Sequence, residues 1–238
     1  MQIFGKFFKA SILTIACFTA RNEANAQLSL GLKGGINWSN LNVKEDGGTS
    51  FDSRVAPNFA VLFNYQLGPS FSIQAEPGFS GRGAKMEAEI KTDLIQQIPY
   101  RIVSHGTLKL SYFELPLLAQ YRPHLSEKLE AIISAGPELR FRTAPVKVKS
   151  TTTTYVNGVV SESVTNTESN DDAVEKLDVG MAFGAGAAYS ISKFKVFAEA
   201  RYHLGLRNIT ASNPDAVTKI YNRGASVVLG VTVPLLNR

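Results

Sequence analysis

The sequence predicts an all-β fold: an eight-stranded antiparallel up-and-down transmembrane β-barrel. Three observations carry that reading. The first is a period-two rhythm late in the chain. Between Phe194 and Leu206 the even positions are almost all apolar, while Lys195, Glu199, Arg201 and His203 take odd ones. Successive side chains of a strand point to opposite faces, so this run has one greasy face and one charged face. The second is an export signal at the start of the chain. The third is a strict alternation of long and short connections between strand-like segments.

Residues 1–26 read as the signal. Lys6 and Lys9 charge its beginning, and Ala10 to Ala20 is apolar but too short to span a membrane as a helix. Ala24-Asn25-Ala26 is a small-x-small cleavage site, so the barrel domain is expected over 27–238, beginning at Gln27. Cys17, the only cysteine, lies inside the signal. Acylation of Cys17 is the rival reading, and Thr14 stands where a lipobox wants Leu. A mature chain without cysteine excludes disulfides and thiolate metal sites. The net charge of +5 falls to +3 once Lys6, Lys9, Arg21 and Glu23 are removed. No block of Lys and Arg marks a nucleic-acid partner. No later stretch reaches the ~20 apolar residues of a membrane helix.

Eight alternating segments follow, at roughly 28–38, 55–67, 71–84, 107–122, 129–143, 177–191, 194–207 and 223–235. The connections at 68–70, 123–128 and 192–193 are tight. Those near 39–54, 85–106, 144–176 and 208–222 are long. This is the wiring of an even-stranded barrel with short turns at one rim and long loops at the other. Both termini fall on the short-turn side, which in such barrels is the periplasm. The segment 107–122 changes phase near Tyr112-Phe113, which suggests a bulge or a misplaced boundary.

The polar face collects Lys33, Arg82, Arg140, Arg142, Lys195 and Arg201 with Glu76, Glu114, Glu138, Asp178 and Glu199, and His203 beside them. The other face carries Phe59, Phe63, Phe79, Phe113, Phe141, Phe183 and Tyr202. Eight strands enclose too little space for that many large rings, so the apolar face is expected on lipid and the charges in the lumen. A narrow lumen must pair its charges, because an unpaired buried one costs several kcal/mol. Glu114, Glu138, Glu199, Arg140, Arg142 and Arg201 are therefore expected to form a hydrogen-bonded ladder that leaves no room for a solute path. Trp38 is expected at the outer rim, and Tyr65, Tyr121 and Tyr189 at the periplasmic rim, as interfacial aromatics.

Several stretches resemble one family in order and spacing. Gly31-Leu32-Lys33-Gly34-Gly35-Ile36-Asn37-Trp38-Ser39-Asn40-Leu41 follows the signal. Tyr112-Phe113-Glu114-Leu115-Pro116-Leu117-Leu118 looks like a central "Y-x-E-I-P-L-L" strand. Gly184-Ala185-Gly186 and Ala200-Arg201-Tyr202-His203-Leu204-Gly205-Leu206-Arg207-Asn208-Ile209 are similar to a "G-x-G … R-Y-x-x-G-L-x-N-I" ending. With Gln74-Ala75-Glu76-Pro77-Gly78-Phe79 and Arg82-Gly83-Ala84, the chain resembles the Bacteroidetes-type outer-membrane β-barrel family, the PorT-like group. The resemblance implies an outer-membrane barrel, usually without assigned activity, with a minority of relatives in protein secretion machinery. One departure is the C-terminus: many such barrels end on an aromatic residue read by the insertion machinery, and this chain ends Pro234-Leu235-Leu236-Asn237-Arg238.

No catalytic, cofactor or metal site is expected. His105, His124 and His203 fall on separate parts of the barrel, which disfavours a shared metal. A Ser-His-Asp arrangement around His203 lacks any supporting motif such as a nucleophile elbow. Asp171-Asp172 near Glu168 and Glu175 lacks the spacing of a calcium loop. The remaining functional surface is the loops. Thr151 to Ser161 reads as a hairpin turning at Asn157-Gly158, with Tyr155 on its flank. The expected function is a scaffold in the cell outer membrane, with that extracellular hairpin as a surface for a protein or glycan. The expected partners are membrane lipid and the barrel assembly machinery. The alternatives are a PorT-type secretion accessory and a soluble periplasmic β-barrel holding a lipophile.

Overall fold

The computed structural model describes residues 28–43, 50–95, 98–170, 174–210 and 219–235. The expected signal segment, the Asp171-Asp172 pair and the last three residues lie outside these. Among the described residues eleven antiparallel strands form one sheet: β1 Leu28–Val43, β2 Ser50–Gln66, β3 Phe71–Ala75, β4 Gly78–Ile95, β5 Ile98–Tyr121, β6 Leu129–Arg142, β7 Val146–Val156, β8 Val159–Asn170, β9 Leu177–Ile191, β10 Phe194–Gly205 and β11 Ile220–Pro234. The sheet closes on itself. β1 pairs β2 on one side and β11 on the other. The ring continues through β10, β9 and β6 to β5, which meets β3 and β4, and these return to β2.

The expected ring of eight is present, and it is built from more pieces. The segment read as one strand over 71–84 is two, β3 and β4, because Pro77 has no N–H to give a ladder. The wall stays stitched across that break: the Glu76 amide donates to the Pro116 carbonyl at 3.1 Å, and the Pro77 carbonyl accepts from the Val61 amide at 3.0 Å. The long connections near 39–54 and 85–106 are largely strand. β1 runs on to Val43, β2 starts at Ser50, and β4 and β5 continue past the wall as a long hairpin. β7 takes over from β6 beside β5, with Lys109↔Lys147 to Tyr100↔Val156 in register. β8 then returns along β7. Strands β4, β5, β7 and β8 thus project as a four-stranded blade above one side of the barrel.

Two glycine positions fit this geometry. Asn157 and Gly158 both have positive φ, 53° and 77°, as the two-residue turn of a β7–β8 hairpin requires. Gly83 sits at φ 134°, where the β2–β4 register shifts by one residue and the blade leaves the wall.

The expected phase change at Tyr112-Phe113 does not occur. β4 and β5 stay in register from Gly78↔Glu114 to Thr92↔Tyr100. Tyr112 and Leu110 point inward like Glu114, although they are apolar. They belong to a plug with Leu41, Val146, Val174 and Ile209 that fills the long-hairpin end of the lumen. An inward apolar side chain reads, in sequence, as a slipped register. A second inward apolar set, Leu62, Ile132, Ala188, Phe197 and Val228, fills space below.

The apolar face otherwise points out, with Leu229 64% exposed and Phe59, Phe63, Phe79 and Phe183 also on the outer wall. With the large apolar side chains outside and the charges inside, the arrangement is the reverse of the soluble, inward-greasy alternative. Trp38 stands on the outer wall toward the long-hairpin end. Tyr65, Tyr121 and Tyr189 stand on it at the short-turn end, where Tyr121 packs on Phe71 with ring centroids 5.0 Å apart.

Leu229 lies mid-wall on β11, and Leu229→Arg places a guanidinium in hydrocarbon. The expected cost is about 2–4 kcal/mol, read by urea unfolding of the barrel in phospholipid vesicles. A neutral result contradicts an outward-facing Leu229.

Candidate functional site

The lumen is the most chemically concentrated part of the molecule. It is reached from the strand period alone: Lys33 on β1, Glu114 on β5, Glu138 and Arg140 on β6, Asp178 on β9, and Glu199, Arg201 and His203 on β10 all take the inward phase. Glu76, at the break between β3 and β4, is also turned inward and buried. Arg82 on β4 joins them.

The charges gather in two groups. In the lower, Arg201 spans two carboxylates. Its Nη1 and Nη2 donate to Glu76 at 2.5 and 2.7 Å, and Nη2 also donates to Glu199 at 2.6 Å. Lys33 completes the shell on Glu76, as does Gln74 at 2.6 Å, while the Ser134 hydroxyl donates to Glu199. In the upper group Arg82 Nε donates to Glu114 at 2.5 Å. Arg140, with no exposed side-chain surface, pairs with Glu138 and, at 2.9 Å, with Asp178. Its Nε lies 3.6 Å from Glu114. Asn222 donates to Asp178 at 2.7 Å and to the Tyr112 hydroxyl at 3.3 Å. Charge-assisted bonds of this length are the strong kind, and they offset the cost of taking the ions out of water.

Glycines make the room. A methyl group on Gly184 would sit 2.2 Å from Glu199 Oε1 and 2.5 Å from Ser134 Oγ, and one on Gly180 would sit 2.8 Å from an Arg140 nitrogen. The small residues on the polar face of β9 are therefore the space that the large charged side chains occupy.

Arg142, expected in the ladder, and Lys195, expected on the lumen face, stand apart from these two groups. Arg142 is only half-buried, and its guanidinium donates to the backbone carbonyls of Ala144 at 2.9 Å and Val174 at 3.1 Å. It lies one step beyond Arg140, where Val174 also belongs to the apolar plug. Lys195 belongs to a separate cluster at the short-turn rim, paired with Glu130, which also faces Arg122 at 3.2 Å and His124 at 3.5 Å. Glu130 and Arg122 were not singled out from sequence, although Glu130 shares the inward phase of Glu138. Ser134, Ser226 and Gln74 share the polar phase of their strands but were not counted with the charges, and Asn222 was missed, because an inward uncharged polar residue looks ordinary in a strand.

His203 has Nδ1 2.7 Å from Glu138 Oε1 and Nε2 2.9 Å from Ser226 Oγ. The acid is Glu138 rather than an Asp, but the line Ser–His–carboxylate has the order of a hydrolytic relay. Access is what it lacks. Ser226 is 2% exposed, and the void it borders measures about 20 Å³, enough for a single water. His105 lies exposed on the blade, 3.8 Å from Glu87, and His124 lies at the short-turn rim. Among the described residues no His, Cys, Asp and Glu group is arranged to hold a metal ion.

A closed sheet that is apolar outside, ionic inside and plugged by its own side chains defines a small membrane β-barrel. Residues 20–211 match the model of the outer membrane protein beta-barrel domain family, and the chain belongs to that family. Solved structures similar to it include OprG of Pseudomonas aeruginosa, at 13% identity and TM-score 0.43, covering 91% of this chain and 100% of that one. Neisserial surface protein A is 10% identical at TM-score 0.42, covering 86% of this chain and 96% of that one. The attachment invasion locus protein Ail of Yersinia pestis is 10% identical at TM-score 0.32, covering 87% and 98%. No curated protein matches the sequence.

Arg201→Met leaves Glu76 with Lys33 and takes from Glu199 the guanidinium that pairs with it. Removing one partner of a buried pair is expected to cost about 3–5 kcal/mol in vesicle unfolding. Adding Glu199→Gln to the same chain is expected to recover part of that loss. A cost under about 1 kcal/mol for Arg201→Met contradicts the network's role in stability.

Proposed function

We propose that this chain is a non-enzymatic outer-membrane anchor whose working surface is the projecting blade. One observation carries the reading. Among the described residues β8 pairs with β7 alone, and every residue from Val159 to Asn170 is exposed. A twelve-residue strand with an open edge offers a row of unpaired backbone groups, the template that strand addition uses. Its side chains are mostly Ser, Thr, Asn and Glu, so the partner it suits is another protein's strand or a hydroxyl-rich glycan. In this reading the blade faces outward, both termini are periplasmic, and residues 1–26 are removed on export. The barrel's own partners are membrane lipid and the machinery that inserts it. The relay around His203 is structural, since its serine has no path for a substrate.

Proteinase K on intact cells is expected to cut within the blade and leave a membrane-protected barrel. Replacing residues 150–166 by a short turn is expected to keep the shift between boiled and unboiled electrophoretic bands while abolishing partner capture. Protection of the blade in intact cells, or retention of every partner after the deletion, overturns the proposal. Labelling of Ser226 by a fluorophosphonate overturns its non-enzymatic part.

The PorT-like assignment within the family rests on several stretches taken together, among them Tyr112–Leu118. That stretch supplies Tyr112, Glu114, Pro116 and Leu118 as a buried inward row on β5. A second reading on that basis is an accessory of protein secretion. It is separated from the first by whether deletion of the chain blocks export of other proteins.

A further inference from the structure

The outer face of the blade changes chemistry in a fixed order as it leaves the membrane wall. At the upper edge of the apolar wall Phe79, Phe113 and Phe141 stand side by side on β4, β5 and β6. One step higher on the same face come the hydroxyls Ser111 and Thr143. The next rows are cationic. Lys109 on β5 lies directly opposite Lys147 on β7. Lys149 follows Lys147 at two residues, hence on the same face, and Lys85 on β4 lies across Thr107 from it. All four lysines are exposed.

We propose that Lys109, Lys147 and Lys149, with Lys85 at their side, bind the phosphate groups of an amphiphile in the membrane leaflet on the long-hairpin side. Height is the first argument. Lys109 is twelve residues up β5 from Tyr121 at the short-turn rim. At about 3.3 Å per residue and a tilt of about 40°, that is about 30 Å, just above an apolar band of about 25 Å. The lysines therefore stand at the level of lipid headgroups, with their stems continuing the apolar wall and their ammonium groups above it.

Charge is the second argument. Like charges directly opposite in a sheet destabilise it, and Lys109 against Lys147 is such a pair. The repulsion is relieved when an anion lies between them. The rows around this trio offer Gly83, Thr107, Thr167 and Ser169, with no acid among them. Carboxylates do occur nearby: Asp52 pairs in register with Lys85, and Glu87 lies one row above Lys85, opposite His105. They make Lys85 the outlying member and leave the trio as the centre. Among the described residues the opposite sector gathers no such set of lysines: Trp38, Ala225 and Tyr202 stand side by side on its outer face, with Arg223 one row above Ala225. The site is thus one sector, not a collar. A phosphorylated lipid fits it better than a soluble anion, because the same surface supplies apolar contacts to acyl chains directly beneath.

The site rests on the family's membrane setting; the outward orientation proposed above decides only which leaflet it meets. The test uses the mature chain folded in phosphatidylcholine nanodiscs and titrated with diphosphorylated lipid A, with bound lipid read by native mass spectrometry. The variant carries Lys109→Gln, Lys147→Gln and Lys149→Gln. A control of equal charge carries Lys91→Gln, Lys128→Gln and Lys193→Gln, all exposed and outside the cluster. At about a factor of five per lysine near a charged surface, the cluster variant is expected to bind about 100-fold more weakly and the control to bind like wild type. Lipid A stripped of both phosphates is expected to bind the wild type as weakly as the cluster variant binds the intact lipid. Equal loss in cluster and control overturns the site, as does equal binding of the dephosphorylated lipid. Inositol hexakisphosphate binding as tightly as lipid A overturns the lipid assignment in favour of a soluble polyanion. The boiled and unboiled bands report whether each variant is folded. Should the triple variant not fold, Lys109→Gln alone is expected to weaken binding about fivefold, and no change there counts against the site. Protease cleavage on intact cells, which tests orientation, is a separate readout.

Discussion

A bilayer offers no water to a backbone, so every N–H and C=O in the spanning region must find a partner in the protein. In this chain that demand is met by one pairing, the one that joins the first strand to the last. β1 and β11 run in register from Ser29↔Pro234 to Val43↔Ile220. Without it the sheet would present two long open edges. With it, the sheet has an inside and an outside, and each strand must divide its side chains between them. The apolar wall, the ionic lumen and the need for internal charge pairing all descend from that closure.

Closure also sets how tightly the interior is filled. Eight strands leave a lumen just wide enough for side chains. Glycines on the inward phase of β9 surrender their share of it to Glu199, Arg201 and Arg140. Two apolar sets and two ionic groups occupy what remains. Such a stack resists solvent entry, and it explains why the line from Ser226 through His203 to Glu138 is sealed. Among the described residues the strands that run on beyond the wall are free of these constraints, which is why the proposed partner surface is placed there.

The fold was largely legible because period two survives in strands whose two faces meet opposite environments. Glu199, Arg201 and His203 on β10 are the plainest case. The reading faltered where the environment inverted. Tyr112 and Leu110 are apolar yet inward, since the plug at the lumen's end needs bulk without charge, and they imitate a register slip. Pro77 breaks a strand that its neighbours' alternation presents as continuous. Arg142 keeps the phase of Arg140 but turns out of the lumen toward the carbonyls of Ala144 and Val174. The blade was half visible: Asn157-Gly158 marked the hairpin turn, but nothing local shows that β7 will lie against β5, because that contact joins residues 38 to 56 positions apart. The lysine sector was hidden for the same reason. Lys109 and Lys147 become neighbours only through that pairing.

A closed sheet with its apolar face on lipid can be tested directly on β11. The chain from Gln27 onward contains no cysteine, so single cysteines can be introduced one at a time from 225 to 233 on β11, spin-labelled and reconstituted in vesicles. Accessibility to oxygen, which concentrates in hydrocarbon, is expected to alternate: high at 225, 227, 229, 231 and 233, and low at the positions between them. High accessibility at the even positions, or no alternation along the strand, would contradict that arrangement.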